Sequence, residues 1–191
     1  MNTAAEQTLE RLYAADADER AANLPSAQRT RNVDRDTGHF LRLLATSVGA
    51  RRILEIGSSN GVSTIWLALA VQDTGGEVIG TEVLPARAAE ANANLERARL
   101  NRIARVEEGD ARSIAASLQG PFDLVFIDAE KDDYIDHFAA TIHLVRPKGL
   151  VLADNVLSHD LTAYQEMLHQ RADVTTVTIP IGRGLEYTLK L

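Results

Sequence analysis

From Arg52 to Ala153 the chain changes its period again and again. Short apolar runs of strand length alternate with stretches whose apolar residues recur at helical spacing. That alternation admits few folds. Strands separated by helices pair in parallel, and the helices cover both faces of the sheet. The strand-like runs fall at 52–57, 77–83, 104–108, 122–128 and 150–153, with helical stretches at 62–72, 85–100, 111–118 and 132–145 between them. The run FDLVFID at 122–128 is apolar enough to be buried on both faces. A further helix is expected at 161–170. The last two runs, 174–179 and 185–191, are joined only by Pro-Ile-Gly-Arg-Gly, too short for a crossover, so they form an antiparallel hairpin. The expectation is an α/β, Rossmann-like, doubly wound sheet of seven strands, mostly parallel, with one antiparallel strand from the C-terminal hairpin.

A core-facing helix at 37–48 precedes this array, with Phe40, Leu41, Leu44 and Val48 on one face. Residues 1–30 read as an N-terminal helical arm carrying Leu9, Leu12 and Tyr13 at helical spacing, either packed on a partner subunit or solvated. With no internal repeat or linker, the 191 residues read as a single domain. Net charge is −7, which argues against a nucleic-acid partner, since phosphate contact needs a basic face. There is no cysteine, so disulfides and thiolate metal sites are excluded. The first twenty residues lack the apolar centre of a secretory signal, and no apolar stretch reaches about 18 residues, so a cytoplasmic chain with no membrane span is expected.

The chemistry sits where strands end. The first strand runs into Glu55-Ile-Gly57-Ser-Ser-Asn-Gly61, a turn that lets a ligand approach the backbone before a helix N-terminus. Its G-x-x-x-G spacing departs from the G-x-G-x-x-G of a dinucleotide fold, and an acid at Glu55 suits a cationic ligand better than a pyrophosphate. Glu82 ends the second strand 21 residues past Gly61, where an acid gripping two ribose hydroxyls is expected; otherwise it is an ordinary exposed glutamate. Asp110 either accepts from an adenine amine or caps the following helix.

FIDAEKDDY at 126–134 and LADNV at 152–156 place Asp128, Asp154 and Asn155 at the ends of two strands. If those strands are neighbours, two carboxylates and an amide converge, a donor set for a hard divalent ion such as Mg2+. Helix capping and solvated charge are the alternative. Lys131, one of three lysines, lies three residues from Asp128. Arginine holds its proton near neutral pH whereas lysine can release it, so Lys131 is a candidate base; a surface ion pair with Asp132 or Glu130 is the rival. Trp66 and Tyr134 read as packing residues, and His159 as a solvated loop histidine or a substrate contact.

Glu55-x-Gly57-x-x-x-Gly61-x-Ser63, Glu82, the DAEKDDY run and the DNV run together resemble the cation-dependent S-adenosylmethionine O-methyltransferases, the catechol and caffeoyl-CoA type, over about Asn32 to Leu191. The resemblance implies S-adenosylmethionine as cofactor. Its methionine end would lie against Glu55, Gly57, Ser58 and Ser63, with Asn32 and Val33 closing over it. Its ribose would meet Glu82 and Val83, and its adenine Asp110 and Ala111, with Asp128 also among the cofactor-binding residues. The implied metal ligands are Asp128, Asp154 and Asn155, and the implied catalytic base is Lys131. The implied partner is a small hydroxyl acceptor, and the implied assembly a homodimer. Larger relatives carry an insertion after DNV that covers the acceptor; here Asp154 to His159 runs almost at once into the next helix. The acceptor pocket is therefore expected to be open, or covered by the N-terminal arm or a second subunit. Three alternatives stay open: a metal-independent methyltransferase of the same fold with another acceptor, a nicotinamide-linked oxidoreductase, and a non-catalytic binding protein that keeps the cofactor site.

Overall fold

The computed structural model describes residues 3–25 and 28–191. Seven strands form one sheet: β1 (Arg52–Ile56), β2 (Glu77–Glu82), β3 (Ala104–Glu108), β4 (Phe122–Ile127), β5 (Val145–Asp154), β6 (Val174–Ile179) and β7 (Leu185–Lys190). The helices are α1 (Thr3–Ala21), α2 (Arg35–Ser47), α3 (Val62–Val71), α4 (Pro85–Arg97), α5 (Ala111–Ser117), α6 (Tyr134–Thr141) and α7 (Thr162–His169). Strand order is β3-β2-β1-β4-β5-β7-β6, and β7 alone runs against the rest. This is the doubly wound α/β sheet with one antiparallel strand that the alternation predicts.

β4 shows why the run FDLVFID has to be apolar throughout. Leu124 and Phe126 point into one core, against α2, α3 and α4, while Val125 and Ile127 point into the other, against α6 and α7. Each face buries a large side chain completely, worth roughly 1.5–3 kcal/mol apiece. Since β1 pairs with β2 on one side and β4 on the other, the winding reverses between β1 and β4. Open sheets bind their ligands at the carboxyl ends of the strands flanking such a reversal.

Three expectations are corrected. The helix expected over 132–145 is an α-helix only over α6, with 3-10 turns at Lys131–Asp133 and Ile142–Leu144. β5 begins at Val145 rather than 150, because Val145 pairs with Phe122 and the register then shifts before Leu150 meets Leu124. Lys148, at φ +61, lies in that irregular stretch. Third, α1 is seated on its own chain's core: Ala5, Leu9 and Leu12 are buried against α3 and α4. Its buried residues fall at helical spacing, but Ala5, Thr8 and Asp16 share the stripe with the two leucines and make it weak to read. Among the described residues, no helix is long and apolar enough to cross a membrane.

Candidate active site

The carboxyl ends of β1, β2, β4 and β5 open onto a cavity of about 880 Å3, with α1 and residues 29–35 supplying the opposite wall. The volume suits a cofactor-sized ligand.

One end is built by the glycine turn. Gly57 and Gly61 both sit at φ +89, a backbone that side chains other than glycine rarely adopt. The Gly57 and Ser58 amides donate to the Thr81 carbonyl at 3.0 and 2.9 Å, fixing the turn on β2. α3 starts at Gly61 with no side-chain cap, so its first amides stay available to a ligand. Glu55 lies beneath this turn, fully buried, and accepts from Ser58 Oγ at 2.7 Å and from Thr64 Oγ1. Burial pushes its carboxyl up, while the hydroxyls of Ser63, Thr64 and Ser58 pull it back. Its Oε1 is buried without a hydrogen-bond partner. Glu55 does not itself line the cavity; Gly57, Ser58 and Ser63 do.

Glu82 is not an exposed glutamate. It is 9% exposed and lines the cavity, and its two oxygens accept from the Ser59 and Leu84 amides, both at 2.9 Å. Val83 lines the cavity beside it, 65% exposed. Asp110 and Ala111 follow at the end of β3. Asp110 caps α5 by accepting from the Arg112 and Ser113 amides, and Arg112 holds its carboxyl down at about 2. Asn32 and Val33 close the other wall; Asn32 Nδ2 donates to the Leu12 carbonyl at 3.4 Å, and its Oδ1 is buried and unpartnered.

At the other end Asp128, Lys131, Asp154 and Asn155 meet. β4 and β5 are indeed neighbours, and this adjacency joins the two motifs. Lys131 Nζ donates to Asp128 Oδ1 at 3.0 Å, to the Ala129 carbonyl at 2.9 Å and to Tyr134 Oη at 2.8 Å. Of the rival partners, Glu130 takes Arg31 at 2.8 Å, and Lys131 pairs with Asp128. Asn155, at φ +71, donates Nδ2 to the same Asp128 oxygen at 2.8 Å. Asp154 is 5% exposed, and burial, with Asp128 close by, pushes its carboxyl up to about 7. Its Oδ1 has no partner. A hard cation fits this corner: it would relieve the repulsion and satisfy the orphaned oxygen, with Asp128, Asp154 and, its amide turned over, the Asn155 oxygen as donors. Among the described residues no group of three or more His, Cys, Asp or Glu could hold a metal ion, so the amide is essential to any such set.

The sequence reading underrated several residues. Tyr134 is fully buried, but its hydroxyl joins Lys131 to the Asp154 carbonyl. Ser59 Oγ donates to the Thr30 carbonyl at 2.8 Å, and the Thr30 amide donates to Glu19 at 2.8 Å, tying α1 to the glycine turn. Tyr13 lines the cavity and accepts from Trp66 Nε1 at 3.0 Å. Only Tyr134 carries a local signal, as the last residue of DAEKDDY three positions after Lys131. His159 is exposed at the cavity edge and bonded to Ser158.

Residues 3–191 match the family described as O-methyltransferase. A catechol O-methyltransferase of Niastella koreensis is 41% identical over 130 residues, 66% of this chain and 58% of that protein, so the chain spans little more than half that relative's length. An O-methyltransferase of Bacillus cereus, solved with S-adenosylhomocysteine (SAH), is 31% identical and superposes with a TM-score of 0.84, covering 97% of this chain and 91% of that one. TomG of Streptomyces achromogenes, an O-methyltransferase of tomaymycin synthesis solved with S-adenosylmethionine, is 32% identical with a TM-score of 0.81, covering 94% of this chain and 88% of that one.

Proposed function

The chain belongs to the O-methyltransferase family, and from that membership we propose that it moves a methyl group from S-adenosylmethionine to a hydroxyl of a small catechol-like acceptor, aided by a divalent cation. The observation that carries this reading is the meeting of Lys131, Asp128, Asp154 and Asn155 in the same cavity as the glycine turn.

The cofactor supplies an electrophilic methyl on a positively charged sulfur. Gly57, Ser58 and Ser63 bind its methionine end, Asn32 and Val33 close over that end, and Glu55 supplies negative charge from the layer beneath. Glu82, anchored through two amides, keeps lone pairs for ribose hydroxyls, with Val83 alongside. Asp110 and Ala111 meet the adenine. A bound Mg2+ would supply Lewis acidity to the acceptor. Asp128, Asp154 and Asn155 would hold it, and Lys131 would take the acceptor's hydroxyl proton at Nζ. α1 and the 29–35 wall exclude water and fix the approach, where much of the acceleration arises. In this reading the chain works as one domain in the cytoplasm, as a homodimer, with α1 as an N-terminal helical arm and no nucleic-acid or membrane partner.

One observation favours a metal-independent enzyme of the same fold. Asp128 Oδ1 already receives both Lys131 and Asn155, so its charge is partly compensated within the chain. Methyl transfer from labelled S-adenosylmethionine to catechols and isolated phenols, each with Mg2+ and with EDTA, decides. Transfer to catechols alone, lost in EDTA, supports the metal reading. Transfer indifferent to EDTA overturns it.

A further inference from the structure

Tyr134 lies outside the cavity wall, yet it makes the closest of the three contacts to Lys131 Nζ. Its ring is fully buried, edge-on to Tyr164 with centroids 5.6 Å apart, and Lys131 Nζ sits 4.9 Å over its face. Its one hydroxyl proton goes to the Asp154 carbonyl at 3.0 Å, so towards Lys131 the oxygen offers a lone pair. Nζ therefore has two neutral acceptors, Tyr134 Oη and the Ala129 carbonyl, and one charged acceptor, Asp128 Oδ1. The two neutral contacts hold Nζ in place on either side, beside Asp128 at the edge of the cavity.

We propose that Tyr134 is a positioning residue that holds Lys131 Nζ in place at the acceptor site. The proposal rests on Lys131 being the base. Without the Tyr134 oxygen, Nζ loses its closest contact and keeps one neutral acceptor, so it occupies this position only part of the time. The same hydroxyl ties the Lys131 turn to β5 through the Asp154 carbonyl, so the base and the β5 carboxylate share one reference point.

The test is Tyr134→Phe, in the wild-type and Lys131→Met backgrounds, since Phe keeps the ring and its packing. Two readouts accompany turnover: SAH affinity by calorimetry, and the Nζ signal of Lys131 in 15N-lysine-labelled protein, with Lys148 and Lys190 as internal references. The expected result is a kcat lower by about ten- to a hundredfold, the scale of one hydrogen bond to a charged group. KM and SAH affinity should hold, the Lys131 signal alone should move, and nothing further should be lost in the Lys131→Met background. An unchanged kcat, an unmoved Lys131 signal, or a further loss on top of Lys131→Met overturns the proposal. If Lys131→Met itself turns over normally, the base reading falls, and the Nζ signal then decides whether Tyr134 positions Lys131 at all. Should the Phe variant not fold, 3-fluorotyrosine at 134 keeps the hydroxyl but weakens its oxygen as an acceptor; a smaller loss in the same direction is expected, and none refutes.

Discussion

Replacing Gly57 by alanine tests whether the glycine turn and the Asp128 corner are mechanically one unit. A Cβ at Gly57 would meet the Asp128 carbonyl oxygen at 2.4 Å, its carbon at 2.8 Å and Ala129 Cα at 3.0 Å. All three are main-chain atoms, so no side chain can swing aside. Gly75 supplies the control: it also has positive φ, at +68, but nothing stands within 4 Å of an added Cβ. Gly75→Ala therefore measures the left-handed backbone alone, about 1–2 kcal/mol. Gly57→Ala adds overpacking against fixed backbone, about 1–3 kcal/mol more. At roughly 2–4 °C per kcal/mol for a domain of this size, the expected drop in Tm is about 2–8 °C for Gly75→Ala and about 4–20 °C for Gly57→Ala. The larger difference lies in binding. Relief of the clash must move either the turn or the start of the Asp128 loop, so calorimetry should find SAH affinity at least about tenfold weaker in Gly57→Ala and unchanged in Gly75→Ala. Equal Tm and equal SAH affinity for the two variants would refute the coupling.

Three further outcomes are expected. Lys131→Met should lower methyl transfer by about a hundredfold or more in a labelled-donor assay, with SAH affinity retained. Glu55→Gln should weaken binding of S-adenosylmethionine more than of SAH, because only the former carries the sulfonium charge; equal losses by calorimetry would remove Glu55 from that role. Asp154, pushed up to about 7, holds a proton in the folded chain that the unfolded chain has released above about pH 4. Its contribution to stability is thus fully present below that range and lost as pH rises through about 7. Mg2+ binding must displace the same proton, so magnesium should raise Tm more at pH 8 than at pH 6, and its calorimetric affinity should fall as pH drops below 7. A pH-independent magnesium effect would take Asp154 out of the ligand set.

Much of the site was legible because its residues end strands. Period alone located β1, β2, β4 and β5, and a polar residue closing an apolar strand faces the crevice wherever the sheet is doubly wound. That reasoning reached Glu82, Asp128, Asp154 and Asn155, and Lys131 followed from its spacing to Asp128. It also reached Glu55, whose carboxylate lies under the glycine turn, bonded to Ser58 and Thr64.

Local period and spacing thus determined the elements, their winding and the chemistry at their ends, since strand and helix patterns are set by neighbours a few residues away. Tertiary structure alone decided what lies across from what. It set α1 on its own core, joined α1 to the glycine turn through Glu19, Thr30 and Ser59, and made Tyr134 a partner of Lys131 as well as a packing residue. Such contacts bridge residues far apart in the chain, or turn on where one hydroxyl points once the ring around it is buried. Sequence spacing carries no record of the first, and of the second only the three-residue interval between Lys131 and Tyr134.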